Sequence, residues 1–265
     1  MPDRERSEPP SQLETYLRGR LRERDLLLMT HIVIGYPDLD ASLRLVEQMV
    51  AAGVDLMELQ IPFSEPIADG PVILRANQEA LLRGATVERA FDFAGEVTRR
   101  FDIPFLFMTY YNILFRRGVA KFVDDMSERG LSGAIVPDLP PEEAGEYLRA
   151  MHARNRDPIF IFSPNTADDR LRTLGATGRG FVYAVARKGV TGSHTQFSDE
   201  LTSYLARARA ATDLPLAVGF GVKEKSDADF LRGKADIAVV GSETLRVLDT
   251  QGIARVRPFL ESLRT

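Results

Sequence analysis

Eight short apolar runs alternate with amphipathic segments along the whole 265-residue chain. They are LLMTHIVI (27–34), VDLMELQI (54–61), IPFLFMTY (103–110), LSGAIVPD (131–138), DPIFIF (157–162), GFVYAVA (180–186), LPLAVGF (214–220) and ADIAVV (235–240). Each is short and rich in β-branched or aromatic residues, the pattern of strands covered on both faces. The segments between them read as helices. DASLRLVEQMVAAG (40–53) has apolar residues at helical spacing and stops at Gly53, and PPEEAGEYLRAMHAR (140–154) opens with the prolines and acids that suit a helix N-terminus. Strands alternating with helices form parallel sheets. At this length, closure into a single (β/α)8 TIM barrel over 11–265 is the simplest arrangement, with an extra N-terminal helix and a flexible segment at 1–10. The competing arrangement, an open doubly wound sheet, lacks a GxGxxG after the first strand.

The second and third strands are far apart in sequence. Between them lie IPFSEPIADGPV and two helical segments, 71–83 and 86–101. Long connections in compact domains are often functional, and in a barrel they emerge at the catalytic C-terminal face. Glu58 on the second strand would point into that mouth, and the following loop would bring Asp69 over it. A buried carboxyl is costly unless paired or protonated, and desolvation makes it usable as a proton carrier. An ionised aspartate nearby can take a different role. The plainer alternative is a structural ion pair of Glu58 with a lysine or arginine, Asp69-Gly70 being an ordinary turn. Glu65 reads as a surface acid of the loop.

Glycines cluster after the last three strands: RKGVTG (187–192), AVGFGV (217–222) and VVGSETLRVL (239–248). Gly219 and Gly221 would let main-chain amides approach an anion, and Gly241-Ser242 would open a short helix, 243–248, whose first amides favour one. Barrels commonly hold phosphate with these loops. His31, His152 and His194 share no metal-ligand spacing. His152 reads as an ordinary helix residue and His31 as a satisfied residue of the barrel interior. No HExxH, GxSxG or Walker loop is present. Acids plus a phosphate grip therefore remain, without metal or nucleotide. A net charge of −4 gives no support for a nucleic-acid partner. There is no cysteine, the first ten residues lack an apolar signal core, and no run spans a bilayer, so a soluble cytoplasmic protein is expected.

These motifs together resemble the tryptophan synthase alpha subunit family. MELQIPFSEPIADGP (57–71) is similar to its signature, and the likeness continues in order through IGYPD, MTYYN, IVPDLPPEE, RKGVTG, VGFGV and VVGS. The resemblance implies cleavage of indole-3-glycerol phosphate to indole and glyceraldehyde 3-phosphate. It implies Glu58 as the proton carrier and Asp69 as the partner of the indole N–H. It further implies Tyr183 in the site, Tyr110 lining the indole pocket, and substrate-phosphate contacts from Thr191, Gly192, Phe220, Gly221, Gly241 and Ser242. No cofactor is implied for this chain. The implied partner is a pyridoxal-phosphate beta subunit that receives indole through a tunnel in an αββα tetramer.

The sequence departs from the family pattern at several positions. Gln60 stands where glycine is usual, Glu65 for aspartate, Leu74 for glutamine, Glu243 for a small residue and His31 for an apolar pocket residue. The rival expectations are an altered subunit that mainly binds and activates a beta partner, a lone indole-releasing lyase, and a different phosphate-gripping barrel such as a phosphoribosyl isomerase.

Overall fold

The computed structural model describes residues 9–67, 69–186 and 194–264, with the main chain alone for 194–198. The first helix, α1 (Gln12–Leu21), precedes the barrel; Ser11 caps it by accepting from Glu14 N at 3.1 Å. β1 (Leu27–Val33), α2 (Leu39–Ala51) and β2 (Leu56–Gln60) follow. The long connection holds α3 (Pro71–Leu82) and α4 (Val87–Arg100), close to the expected bounds. Pro71 occupies the first turn of α3, where a missing N–H costs nothing. Next come β3 (Phe105–Met108), α5 (Tyr111–Arg117), α6 (Val119–Glu128), β4 (Gly133–Ile135) and α7 (Gly145–Ala153). The chain then forms β5 (Asp157–Ile159), β6 (Ile161–Phe162), α8 (Asp168–Thr177) and β7 (Val182–Val185). It ends with α9 (His194–Ala211), β8 (Leu216–Gly219), α10 (Lys225–Leu231), β9 (Ile237–Val240), α11 (Ser242–Gln251) and α12 (Val256–Ser262). Among the described residues no helix is long and apolar enough to cross a membrane.

All recorded strand pairs are parallel, in the order β5-β4-β3-β2-β1-β9-β8-β7-β6. The expected fifth strand is split at Phe160. β5 pairs with β4, whereas β6 pairs with β7, and the Phe160 carbonyl accepts from Tyr183 N at 3.0 Å. The two ends of the sheet are thus one stretch of chain that changes partners, and the ring closes as an eight-position TIM barrel. A second difference lies at 140–145. The PPEE segment forms turns, with Glu143 N bonded to Pro140 O at 3.0 Å, and α7 begins only at Gly145.

Alternation along the strands divides the core. Leu27, Met29, Leu56, Leu106, Met108, Ile135, Ile159, Phe181, Ala217, Ile237 and Val239 form the barrel interior. Leu13 and Leu17 of α1 join that cluster, so the added helix plugs the N-terminal end of the barrel. The residues that alternate with them face the outer helices and form the larger cluster. Continuing the inward set toward the strand C-termini changes its character from apolar to polar. After Leu27 and Met29 comes His31, after Leu56 come Glu58 and Gln60, and after Phe181 comes Tyr183. The floor of the mouth is set by this switch in side-chain chemistry.

Candidate active site

Glu58 and His31 are register partners on β2 and β1, and both are buried at 3% exposure. His31 Nδ1 lies 3.3 Å from Glu58 Oε1. The Tyr183 hydroxyl, arriving from β7, donates to the same oxygen at 3.4 Å. The expected alternative, a structural pair of Glu58 with lysine or arginine, is replaced by these two partners. Among the described residues no lysine or arginine is paired with Glu58.

Tyr183 is itself held by a glycine. A Cβ at Gly219 would lie 3.0 Å from the Tyr183 hydroxyl oxygen and 3.1 Å from its ring, so the bare β8 backbone makes room for that side chain. Gly219 therefore serves the tyrosine beside it, a role its position after a strand does not announce. Burial and the adjoining Glu58 raise the Tyr183 pKa well above the ordinary tyrosine value, keeping it a neutral O–H donor.

Asp69 is tied down from three sides. Gln60 Nε2 donates to its Oδ2 at 2.6 Å, and Asn77 Nδ2 approaches the same oxygen at 3.4 Å. Tyr110 supplies a further side-chain hydrogen bond. Burial raises the Asp69 pKa; the Gln60 bond and the His31 charge oppose this, but the net direction is upward. Asn77 also accepts from Phe63 N at 3.0 Å and donates to Ile73 O at 2.9 Å. One α3 side chain thus fastens the 61–70 loop at both its ends. The sequence pattern does not single out Asn77; its signal is a lone amide on the buried Ala76–Ala80 face of α3.

Tyr110 is buried at the end of β3, and its ring stacks on Phe63 at 5.0 Å with a 21° interplanar angle. The two rings make a flat apolar wall next to Asp69. Pro62 and Pro66 are buried while Glu65 and Ile67 are exposed, so the loop is anchored by its prolines and presents its middle outward.

At the glycine-rich loops, Gly221 has φ +90° and open space where a Cβ would be, so its requirement is conformational and not steric. The Phe220 ring is buried and faces Phe230 at 6.2 Å. Gly241 is the N-cap of α11, and Ser242 is the first helical residue; the helix runs to Gln251, longer than expected. The first-turn Glu243 is engaged by Arg246 at 2.7 Å. Thr191, Gly192 and the rest of 187–193 lie outside the described residues, as does the His194 side chain; His152 is exposed on α7. Among the described residues no group of three or more His, Asp or Glu is arranged to hold a metal ion.

Comparison with known proteins follows the same geometry. A family model described as "Tryptophan synthase alpha chain" matches residues 19–258. The tryptophan synthase alpha chain of Desulforapulum autotrophicum is 62% identical over 251 residues, covering 95% of this chain and 99% of the relative. That of Syntrophotalea carbinolica is 61% identical over 252 residues, covering 95% and 100%. A solved structure of Mycobacterium tuberculosis tryptophan synthase superposes with a TM-score of 0.88 at 33% identity, covering 97% of this chain and 98% of that one.

Proposed function

This chain belongs to the tryptophan synthase alpha chain family, and from that premise we propose how its own residues perform the reaction. The reaction is the retro-aldol cleavage of indole-3-glycerol phosphate to indole and glyceraldehyde 3-phosphate, a lyase step of tryptophan biosynthesis. Breaking the carbon–carbon bond needs a proton at indole C3, loss of the proton from the side-chain hydroxyl, and relief of positive charge at the indole nitrogen.

Glu58 carries the proton. It gives one to C3 and takes one from the hydroxyl, so its own protonation is restored. In favour of this is its place: a buried carboxyl at the C-terminal end of a barrel strand, with donors from His31 and Tyr183 both meeting Oε1. Among the described residues this leaves Oε2 for the substrate. Asp69 accepts the indole N–H, and the charge it carries offsets the cation formed when C3 is protonated. Its fixed carboxylate beside the Tyr110–Phe63 wall supports that role. Tyr183 and Tyr110 complete the pocket.

The phosphate is bound by main-chain amides of Phe220, Gly221, Gly241 and Ser242, together with Thr191 and Gly192. The start of the ten-residue α11 supports this reading, since first-turn amides at a helix N-terminus favour an anion. The chain works in the cytoplasm as one catalytic barrel over 11–265, paired with a beta subunit in an αββα tetramer. Indole passes to that subunit, and pyridoxal phosphate belongs there. Exposed Glu65 and Ile67 on the stiff 61–70 loop suit a docking contact that also aims Asp69.

The observation that carries the proposal is the convergence of Glu58 and Asp69 at one mouth, with Gln60 holding Asp69 from the strand that carries Glu58. Indole release from indole-3-glycerol phosphate, measured with and without a beta subunit, tests it. Release by the chain alone, accelerated by the partner, is the expected result. Absence of release under both conditions overturns the assignment.

A further inference from the structure

His31 and Gln60 are polar residues in a floor that is otherwise acids and tyrosines. Each has one atom engaged and one idle. His31 Nδ1 meets Glu58, while His31 Nε2 is buried without a hydrogen-bond partner. Gln60 Nε2 meets Asp69, while Gln60 Oε1 is buried without one. The two idle atoms are complementary, a nitrogen able to carry hydrogen and an amide oxygen. They lie on adjacent strands, two residues apart in register. Buried polar atoms without partners are uncommon, and two complementary ones side by side point to a shared purpose.

We propose that His31 and Gln60 form a bridge that couples the two catalytic carboxylates, His31 positioning Glu58 and Gln60 positioning Asp69. The order across the mouth is Glu58, His31, Gln60, Asp69. Protonation of Nε2 supplies the hydrogen for the central link, and the imidazolium then holds both neighbours. Burial disfavours that charge, but the Glu58 bond and charge, the Asp69 charge and the Gln60 amide outweigh it and hold the His31 pKa above the ordinary histidine value. Neither idle atom is hydrogen-bonded, yet Gln60 lies near enough to favour the charged ring.

The groups facing His31 are Glu58 and Gln60 from β2, Asp69 from the loop and, through Glu58, Tyr183 from β7. The β9 side presents Gly241, where a Cβ would sit 3.7 Å from His31 Cβ. His31 gains and loses no proton over the cycle; it fixes which oxygen of Glu58 faces the substrate and steadies the carboxylate left after C3 is protonated.

This inference rests on the proposed cleavage and is tested within it. Wild type, His31→Phe, Gln60→Gly and the double variant are compared for kcat, KM and pH profile in the indole-release assay. Each single variant should lose roughly 10- to 100-fold in kcat, the scale of one lost hydrogen bond to a charged group. KM for indole-3-glycerol phosphate should hold, since neither residue grips the phosphate. The double variant should fall little further than the worse single, because either change breaks the same bridge. In the wild type, activity should fall as pH rises through the raised His31 pKa, because the central link needs the imidazolium, and that limb should be absent in His31→Phe. His31→Asn, which keeps a donor near the Nδ1 position, should recover part of kcat and serves as well if the phenylalanine variant folds poorly. Fully additive losses, or a wild-type profile in His31→Phe, overturn the bridge. Wild-type turnover abolished by Glu58→Gln, alongside an unaltered His31→Phe, would leave the cleavage standing and remove only the bridge. An inactive wild type would remove both.

Discussion

The Gln60 amide donates to the Asp69 carboxylate across 2.6 Å, linking the end of β2 to the loop that follows it. The bond fixes where the charge of Asp69 lies before any substrate arrives, and such preorganisation is what electrostatic catalysis requires. Asp69→Asn should therefore lower kcat by roughly 10²–10³-fold, the range for removing one preorganised electrostatic partner, while leaving glycerol 3-phosphate affinity unchanged. Because burial raises the Asp69 pKa, activity should fall on acidification at a pH above the ordinary carboxylate range. The pH profile of kcat/KM checks this. An acid limb at ordinary aspartate pH would contradict the environment assigned to Asp69.

Glu58→Gln tests the other carboxyl. Glutamine can still accept from Tyr183 and His31, so the barrel floor should keep its shape and the variant should melt near wild type. It cannot carry a proton, and lysis should drop by roughly 10²–10⁴-fold. Thermal unfolding and indole release, read on the same preparation, separate the two effects. Near-normal turnover in a folded variant would remove Glu58 from the chemistry.

Much of this was legible in the sequence, and the gaps have physical causes. The eight apolar runs specify the barrel because strands covered on both faces must be apolar nearly throughout. Glu58 and Asp69 stand out because a carboxyl in such a run needs a reason. The partners of Glu58 were not legible. Tyr183 is 125 residues away and meets it only after the ring closes. The 140–144 turns were misread as helix because prolines and acids favour both a turn and a helix start. Gly219 has a further role that its sequence position does not announce: its missing side chain makes space for Tyr183, and only the closed barrel shows that neighbour.

That contact separates the two glycines of VGFGV experimentally. In Gly219→Ala the new Cβ would meet the Tyr183 hydroxyl oxygen at 3.0 Å, so the ring must give by a few tenths of an ångström and its 3.4 Å bond to Glu58 is disturbed. We expect overpacking to cost about 1–3 kcal/mol. Turnover should fall roughly 10- to 100-fold, in line with a lost hydrogen bond to a charged group. Tyr183→Phe should reproduce the turnover loss without the overpacking. Gly221→Ala meets open space but must hold φ at +90°, so it should weaken phosphate-bearing ligands while leaving the Glu58–Tyr183 contact intact. Denaturant midpoints and glycerol 3-phosphate affinity tell them apart. Identical behaviour of the two alanine variants would refute the distinction.

The opposite end of the barrel carries a pH-dependent term of its own. Asp157 begins β5 at 1% exposure and accepts from Ser11 Oγ at 2.5 Å, joining the barrel to the cap of α1. Burial pushes its pKa up to about 6; the Ser11 bond and Arg179 only partly offset this. In the unfolded chain an aspartate titrates near about 3.9. The folded state therefore holds the extra proton between those values, and the stability this confers is complete below the unfolded pKa. It is lost as pH rises through the folded one. A shift of this size corresponds to about 3 kcal/mol across the window. Asp157→Asn keeps an oxygen for Ser11 and has no proton to lose, so its stability should lack this slope. Urea unfolding of both proteins from about pH 4 to about pH 7 should show the wild type losing stability relative to the variant as pH rises, with the change complete shortly above the folded pKa. A stability difference that stays constant with pH would mean that Asp157 is not the group that titrates there.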